Sequence, residues 1–347
     1  MKLFLLSSLL LSISNQTFSE TITTSSGKIN ADKQGNIYVY EDIPYAKPPI
    51  GVLRWKAPRE LTSTKVILPK ENNFCIQRPS NLGGADGETN FVGSEDCLYL
   101  DIFSPTREIN EKLPVMFWIH GGGNTSGLKD LYDFSKMVKK YNVIVVRVNY
   151  RLGPFGWFTH PAVQSFQEGD DKTSNFGTLD LIMALKWVQK NISLFGGDPQ
   201  NVTIFGESAG GHNVLSLLAT NKAKGLFDKA ISMSGYTTSI STQDAFNPKN
   251  ESSTSNYSSN MVVGKLIDQH DIDSFSGDTL IEKTREMLLS LSSEDFFQIY
   301  IGRESYEEIP LMTADGIVIP KVGLRNALSM KEYVNNVPTI AGSNRDE

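Results

Sequence analysis

Two short runs, PVMFWIH (114–120) and VIVVRVNY (143–150), are apolar at nearly every position and dense in β-branched and aromatic residues. That density marks strands covered on both faces. Between them, in DLYDFSKMVKKY (130–141), Leu131, Phe134, Met137 and Val138 recur at helical spacing. TLDLIMALKWVQKN (178–191) predicts a second helix, with Gly196, Gly197 and then Pro199 as its stop signal. NVTIF (201–205) predicts the next strand, AGGHNVLSLLA (209–219) the next helix, and KAISMS (229–234) and VPTIAG (337–342) two more strands. Strands and helices that alternate in this way predict an α/β fold, a mostly parallel central sheet flanked by helices. No internal repeat or long low-complexity tract interrupts the alternation, which predicts one domain.

The start of the chain has a different pattern. Met1 and Lys2 precede LFLLSSLLLSIS, and Thr17 and Ser19 put small residues three and one positions before a cleavage point. This predicts a signal peptide over 1–19, a mature domain over 20–347, and a secreted or secretory-pathway protein. A membrane anchor is the competing reading, but spanning helices need about 20 apolar residues, and no later stretch could span either. With a formal net charge of −6 and no run of Lys or Arg, nucleic acid is not an expected partner. An oxidising compartment would pair the chain's two cysteines, Cys75 and Cys97, across a loop of about 20 residues, for ~3 kcal/mol of stabilisation. Two buried free thiols are the alternative. Sequons stand at Asn124, Asn191, Asn201, Asn250 and Asn256, the last two in the polar stretch NESSTSNYSS, which reads as an exposed loop of a glycoprotein.

The candidate chemistry lies at the join between NVTIF and AGGHNV. GESAG (206–210) places Ser208 between two glycines, after a predicted strand and before a predicted helix, the setting a nucleophile elbow requires. A helix N-cap serine with no chemical role is the plainer reading, but a cap needs neither the flanking glycines nor the strand. HGGG (120–123) directly follows the strand PVMFWI, where successive glycines let backbone amides turn toward an oxyanion. Removing one such donor typically costs on the order of 10² to 10³ in rate. The pairing of HGGG with G-x-S-x-G is shared with lipases and esterases.

With those segments, IPYAKPPIGVLRWKAP, SEDCLYLDIF, VNYRLGPFGW, NFGTLDLIMALKWVQKNISLFGGDPQNVTIFGESAGG, PLMTADGIVIP and VPTIAGSNRDE, the chain resembles the type-B carboxylesterase and cholinesterase family. A poorly matching stretch covers about 240–300. The resemblance implies an α/β-hydrolase fold and hydrolysis of small-molecule carboxylic esters through an acyl-serine, with no cofactor and no metal. It places the nucleophile at Ser208, the oxyanion amides at Gly122, Gly123 and Ala209, and a buried glutamate beside the nucleophile at Glu207. Cys75 and Cys97 match the family's first disulfide, and Glu347 the acid that orients the catalytic histidine. The loop NLGGADGETNFVG (81–93) has no tryptophan to face a choline cation, so a choline ester is not expected. The family's second disulfide, around 260–290, has no cysteines to form it.

Four histidines could serve as base. His212 lies one helical turn beyond Ser208 and is expected to be structural, because a base must approach from the substrate side. His120 is expected to hold the HGGG turn, His160 to be an ordinary loop or helix-entry residue, and His270 to be exposed. None has the H-G-x-E surroundings of the family's catalytic histidine. The expectation is therefore the front part of an esterase, incomplete at its C-terminal end and inactive without the missing base, with an uncovered strand at VPTIAG. A natural truncation, or a non-catalytic extracellular adhesion protein of the same fold, is the alternative; such relatives commonly lose the elbow serine.

Overall fold

A computed structural model describes residues 21–84, 90–108, 110–247, 258–300 and 312–345. The expected signal peptide, the sequons at Asn250 and Asn256, and Glu347 lie outside the described residues. The central sheet has eight strands: β1 (Asp32–Gln34), β2 (Ile37–Pro44), β3 (Tyr99–Ser104), β4 (Leu113–Ile119), β5 (Ile144–Val148), β6 (Gly197–Glu207), β7 (Lys229–Met233) and β8 (Thr339–Gly342). Their order is β8-β7-β6-β4-β5-β3-β2-β1. From β8 to β5 the neighbours are parallel, and the three pairs from β5 to β1 are antiparallel. The parallel half carries the site, since it is there that strands end and helices begin on one edge.

Strand alternation sorts the core into two layers. Val39, Phe103 and Val145 pack on one face under helix α1 (Ser135–Tyr141), against Val138. Tyr40, Ile102 and Val146 face the other way. There they meet Leu181, Leu185 and Val188 of α2 (Phe176–Asn191) and Val214 and Leu217 of α3 (Ala209–Leu218). Helix α1 is shorter than DLYDFSKMVKKY suggests. Asp133 accepts the Ser135 amide (2.8 Å) and stops the helix from extending backward. Lys129 is drawn into a buried charge cluster, where its ammonium meets Asp42 (3.0 Å), Asp101 (2.9 Å) and Asp130 (2.9 Å), and Arg147 meets Asp101 (2.7 Å) and Asp130 (2.6 Å).

Residues 258–300, in the stretch expected to match poorly, form three helices. Helices α4 (Ser259–Gln269), α5 (Gly277–Ser290) and α6 (Ser293–Gln298) bury Val263, Leu288 and Phe296 in a second cluster around Trp55, Phe155 and Phe158. Arg54 fastens it: the guanidinium pairs with Glu95 and donates to the carbonyls of Leu288 and Leu291, both at 2.9 Å. Asp315, in the PLMTADGIVIP motif, accepts from the amides of Ile317, Val318 and Ile319 and from the Thr173 hydroxyl, which docks that turn at the start of α2. Cys75 and Cys97 form a disulfide. Among the described residues β8 has a strand on one side only, and Ile340 in it is 65% exposed. Two sequons are built into the interior: Asn124 is buried, and both Asn191 Nδ2 protons go to Ser25 Oγ (3.0 Å) and the Trp187 carbonyl (2.9 Å).

Candidate active site

Ser208 joins β6 to α3 at φ 55° and ψ −119°, a conformation that costs a non-glycine residue on the order of 1–3 kcal/mol. The elbow tolerates no side chain at its flanking glycines. A Cβ on Gly206 would lie 2.5 Å from the Gly210 backbone, and one on Gly210 only 2.1 Å from the Ile119 carbonyl oxygen. The Ser208 amide donates to the Met233 carbonyl (2.9 Å) at the end of β7, and the next amide there, of Ser234, donates to Gly342 in β8 (2.6 Å). Ser208 occupies the N-cap position of α3, but its side chain makes no cap hydrogen bond.

The HGGG turn lies directly against this elbow, since a Cβ on Gly121 would stand 3.4 Å from Ser208 Cβ. Two carbonyls set where its amides point. His120 Nδ1 is 2.8 Å from the Gly121 carbonyl, so that nitrogen carries the proton. The Gly122 carbonyl accepts from the amides of Thr125 and Ser126, both at 3.0 Å. In a trans peptide the N–H is antiparallel to the C=O, so the amides of Gly122 and Gly123 point away from these donors. Gly122 and Gly123 reach φ 98° and 63° to do so. Among the described residues, neither of these amides nor that of Ala209 has an acceptor. Three free donors beside a strained serine are what an oxyanion hole needs.

Glu207 is half-buried, against the expectation of a buried glutamate; its carboxylate lies over Gly121 and beside Tyr132, which is itself 36% exposed. Burial lowers the pKa of His120, His160 and His212 to about 4 each, and all three are neutral at pH 7. His120 is stacked on Tyr150 (4.5 Å) behind the glycine turn. His160 caps the short helix Pro161–Gln164 by accepting the Ala162 amide (3.1 Å). His212 is buried against the Tyr236 ring (4.2 Å), and neither of its ring nitrogens makes a hydrogen bond of normal geometry, although the Thr238 backbone partly opposes the effect of burial. His270 is exposed at the end of α4. The His212 amide donates to the Ser208 carbonyl (2.9 Å) as an ordinary helical bond, and among the described residues no hydrogen bond joins the Ser208 hydroxyl to a histidine ring. Ligand oxygens of Glu41, Asp101 and Asp130 lie within 4.8 Å of one another, and Lys129 and Arg147 already pair with those carboxylates.

A family model described as the Carboxylesterase family matches residues 19–347. Carboxylesterase 1D of Rattus norvegicus is 35% identical over 90% of this chain and 54% of its own length. The para-nitrobenzyl esterase of Bacillus subtilis (strain 168) is 45% identical over 65% of this chain and 46% of its own length. A solved PNB esterase superposes with a TM-score of 0.75 at 31% identity, covering 95% of this chain and 64% of that one. A Geobacillus stearothermophilus carboxylesterase gives 0.72 at 31% identity, covering 94% and 62%. The chain thus spans about half the length of these curated relatives. With its elbow, its glycine turn and its sheet, it belongs to the carboxylesterase family and has the α/β-hydrolase fold.

Proposed function

We propose that the protein is a secreted serine hydrolase of small carboxylic esters that works through an acyl-serine. The observation that carries this reading is the strained Ser208, free of any capping bond, beside three amides without acceptors. Ser208 Oγ attacks the ester carbonyl carbon, and the π electrons move onto the carbonyl oxygen, which takes N–H bonds from Gly122, Gly123 and Ala209. Collapse of this tetrahedral intermediate expels the alcohol and leaves the acyl group on Ser208, from which water releases the acid. The serine proton must pass to a base, and on this reading none of the four histidines is that base. Their rings are capping, stacked behind the turn, buried or exposed at the end of α4. Loss of the base in a comparable triad costs about 10⁶ in turnover and leaves roughly 10³ over water. Glu347 remains the acid proposed from the family likeness. An adhesion role gives no reason for a strained serine and vacant amides.

The test is labelling of Ser208 with a fluorophosphonate, with imidazole added as a diffusible base and the adduct located by peptide mapping. One adduct, at Ser208 and lost in Ser208→Ala, is expected; equal modification of several serines, or none at Ser208, refutes the proposal. Secretion is checked separately by sequencing the amino terminus of exported protein, which should begin at Glu20.

A further inference from the structure

We infer that Asn213 and Asn124 form a positioning pair, one hydrogen bond that fixes the oxyanion turn to the helix carrying the nucleophile. This rests on the reading of Ser208 as nucleophile. Asn213 lies five residues after Ser208 on α3, is fully buried, and its Nδ2 donates to Asn124 Oδ1 at 2.7 Å. Asn124 closes the glycine turn. It follows Gly122 and Gly123 as a third residue at positive φ, at 60°, where asparagine is among the few side chains tolerated. Its own carbonyl accepts the Gly153 amide at 2.7 Å, so the residue is held from both ends.

The oxyanion donors come from two separate pieces of chain: Ala209 belongs to α3, and Gly122 and Gly123 belong to the turn after β4. Their spacing must suit one oxygen atom to within a few tenths of an ångström, and a misplacement of 1 Å can cost about 10² in rate. The strands β4 and β6 set this spacing coarsely. Asn213–Asn124 is the direct side-chain bond from the helix to the residue that adjoins Gly123. Tyr150 braces both ends of the turn: its hydroxyl donates to the His120 carbonyl at 2.8 Å and lies 3.4 Å from Asn124 Oδ1, where it supplements the shorter Asn213 bond. Asn124 is also the asparagine of a sequon, and its burial leaves no room for a glycan on Nδ2.

The experiment measures the rate at which paraoxon phosphorylates Ser208 and releases p-nitrophenolate, with imidazole added, as a maximal rate and a half-saturating concentration. Asn213→Ala removes the donor. Asn124→Gly removes the acceptor while keeping positive φ easy, so it reads the bond even if Asn213→Ala does not fold. Each variant should lose about 10- to 100-fold in maximal rate with the half-saturating concentration within about twofold of wild type. The double variant should be no slower than the slower single one, because both remove the same bond. Variants that react at the wild-type rate, lose only affinity for paraoxon, or combine multiplicatively overturn the pair and leave the serine reading intact. A wild-type chain that gains no adduct at Ser208 overturns both.

Discussion

Alanine at Gly210 and alanine at Gly264 should move stability in opposite directions, although both replace a glycine inside a helix. At Gly210 the new Cβ would stand 2.1 Å from the Ile119 carbonyl oxygen, 2.9 Å from its carbon and 3.0 Å from the His120 oxygen. Those atoms are backbone at the end of β4 and cannot swing aside. Ordinary contact requires α3 and β4 to part by about 1 Å, and overpacking of this kind costs about 1–3 kcal/mol against a propensity gain of about 1 kcal/mol. At Gly264, within α4, nothing lies within 4 Å of the added carbon, so only the propensity term remains, a gain of about 0.5–1 kcal/mol. Urea unfolding followed by tryptophan fluorescence should show a lower midpoint for Gly210→Ala and a higher one for Gly264→Ala. Phosphonylation of Ser208 should fall steeply in the first alone, because α3 carries the Ala209 amide with it. A Gly210→Ala protein with wild-type midpoint and wild-type labelling would refute the claim that the elbow is set by backbone contact.

Three further outcomes are expected. Because the unfolded chain takes up protons on His120, His160 and His212 near pH 6.5 and the native state only near pH 4, the native state binds fewer protons between these values. Stability must therefore fall as pH drops from 7 to 4, by up to about 3 kcal/mol per histidine. Unfolding midpoints across that range should show it, and His212→Phe should flatten the slope while leaving Ser208 labelling intact. Reducing the Cys75–Cys97 bond, which spans 22 positions, should cost about 3 kcal/mol in a thermal melt with and without dithiothreitol. Arg54→Ala leaves the buried Glu95 unpaired and should cost about 3–5 kcal/mol, with hydrogen exchange rising first in α5, whose end it holds.

What the sequence discloses here follows from how local each requirement is. The strands β4 and β5 are legible because burial on both faces demands apolar residues at successive positions, and the elbow because its glycines answer contacts made within a few residues. The strand Ile37–Pro44 is harder to read. A register shift between Tyr40 and Ile43, and a buried Asp42 at φ 58°, break its alternation. Asp101 sits uncharacteristically in mid-strand because Lys129 and Arg147, far along the chain, neutralise it. His212 looks like a partner for Ser208 by spacing alone, and what places it is the ring of Tyr236 from another segment. The bond between Asn124 and Asn213 spans 89 positions, and its one trace is an asparagine directly after three glycines.

The two amide hydrogen bonds at the end of β7 give β8, the outermost strand among the described residues, a line to Ser208. Ser208 hangs its N–H on the Met233 carbonyl, and the adjoining Ser234 hangs its own on Gly342 of the exposed strand. A disturbance at that strand therefore has only one residue to cross before it reaches the backbone on which the serine is strained. The Ser208 amide becomes a built-in gauge: its exchange with deuterium should quicken when the outer strand frays and slow when something pairs along it, before any change is visible in the chemistry.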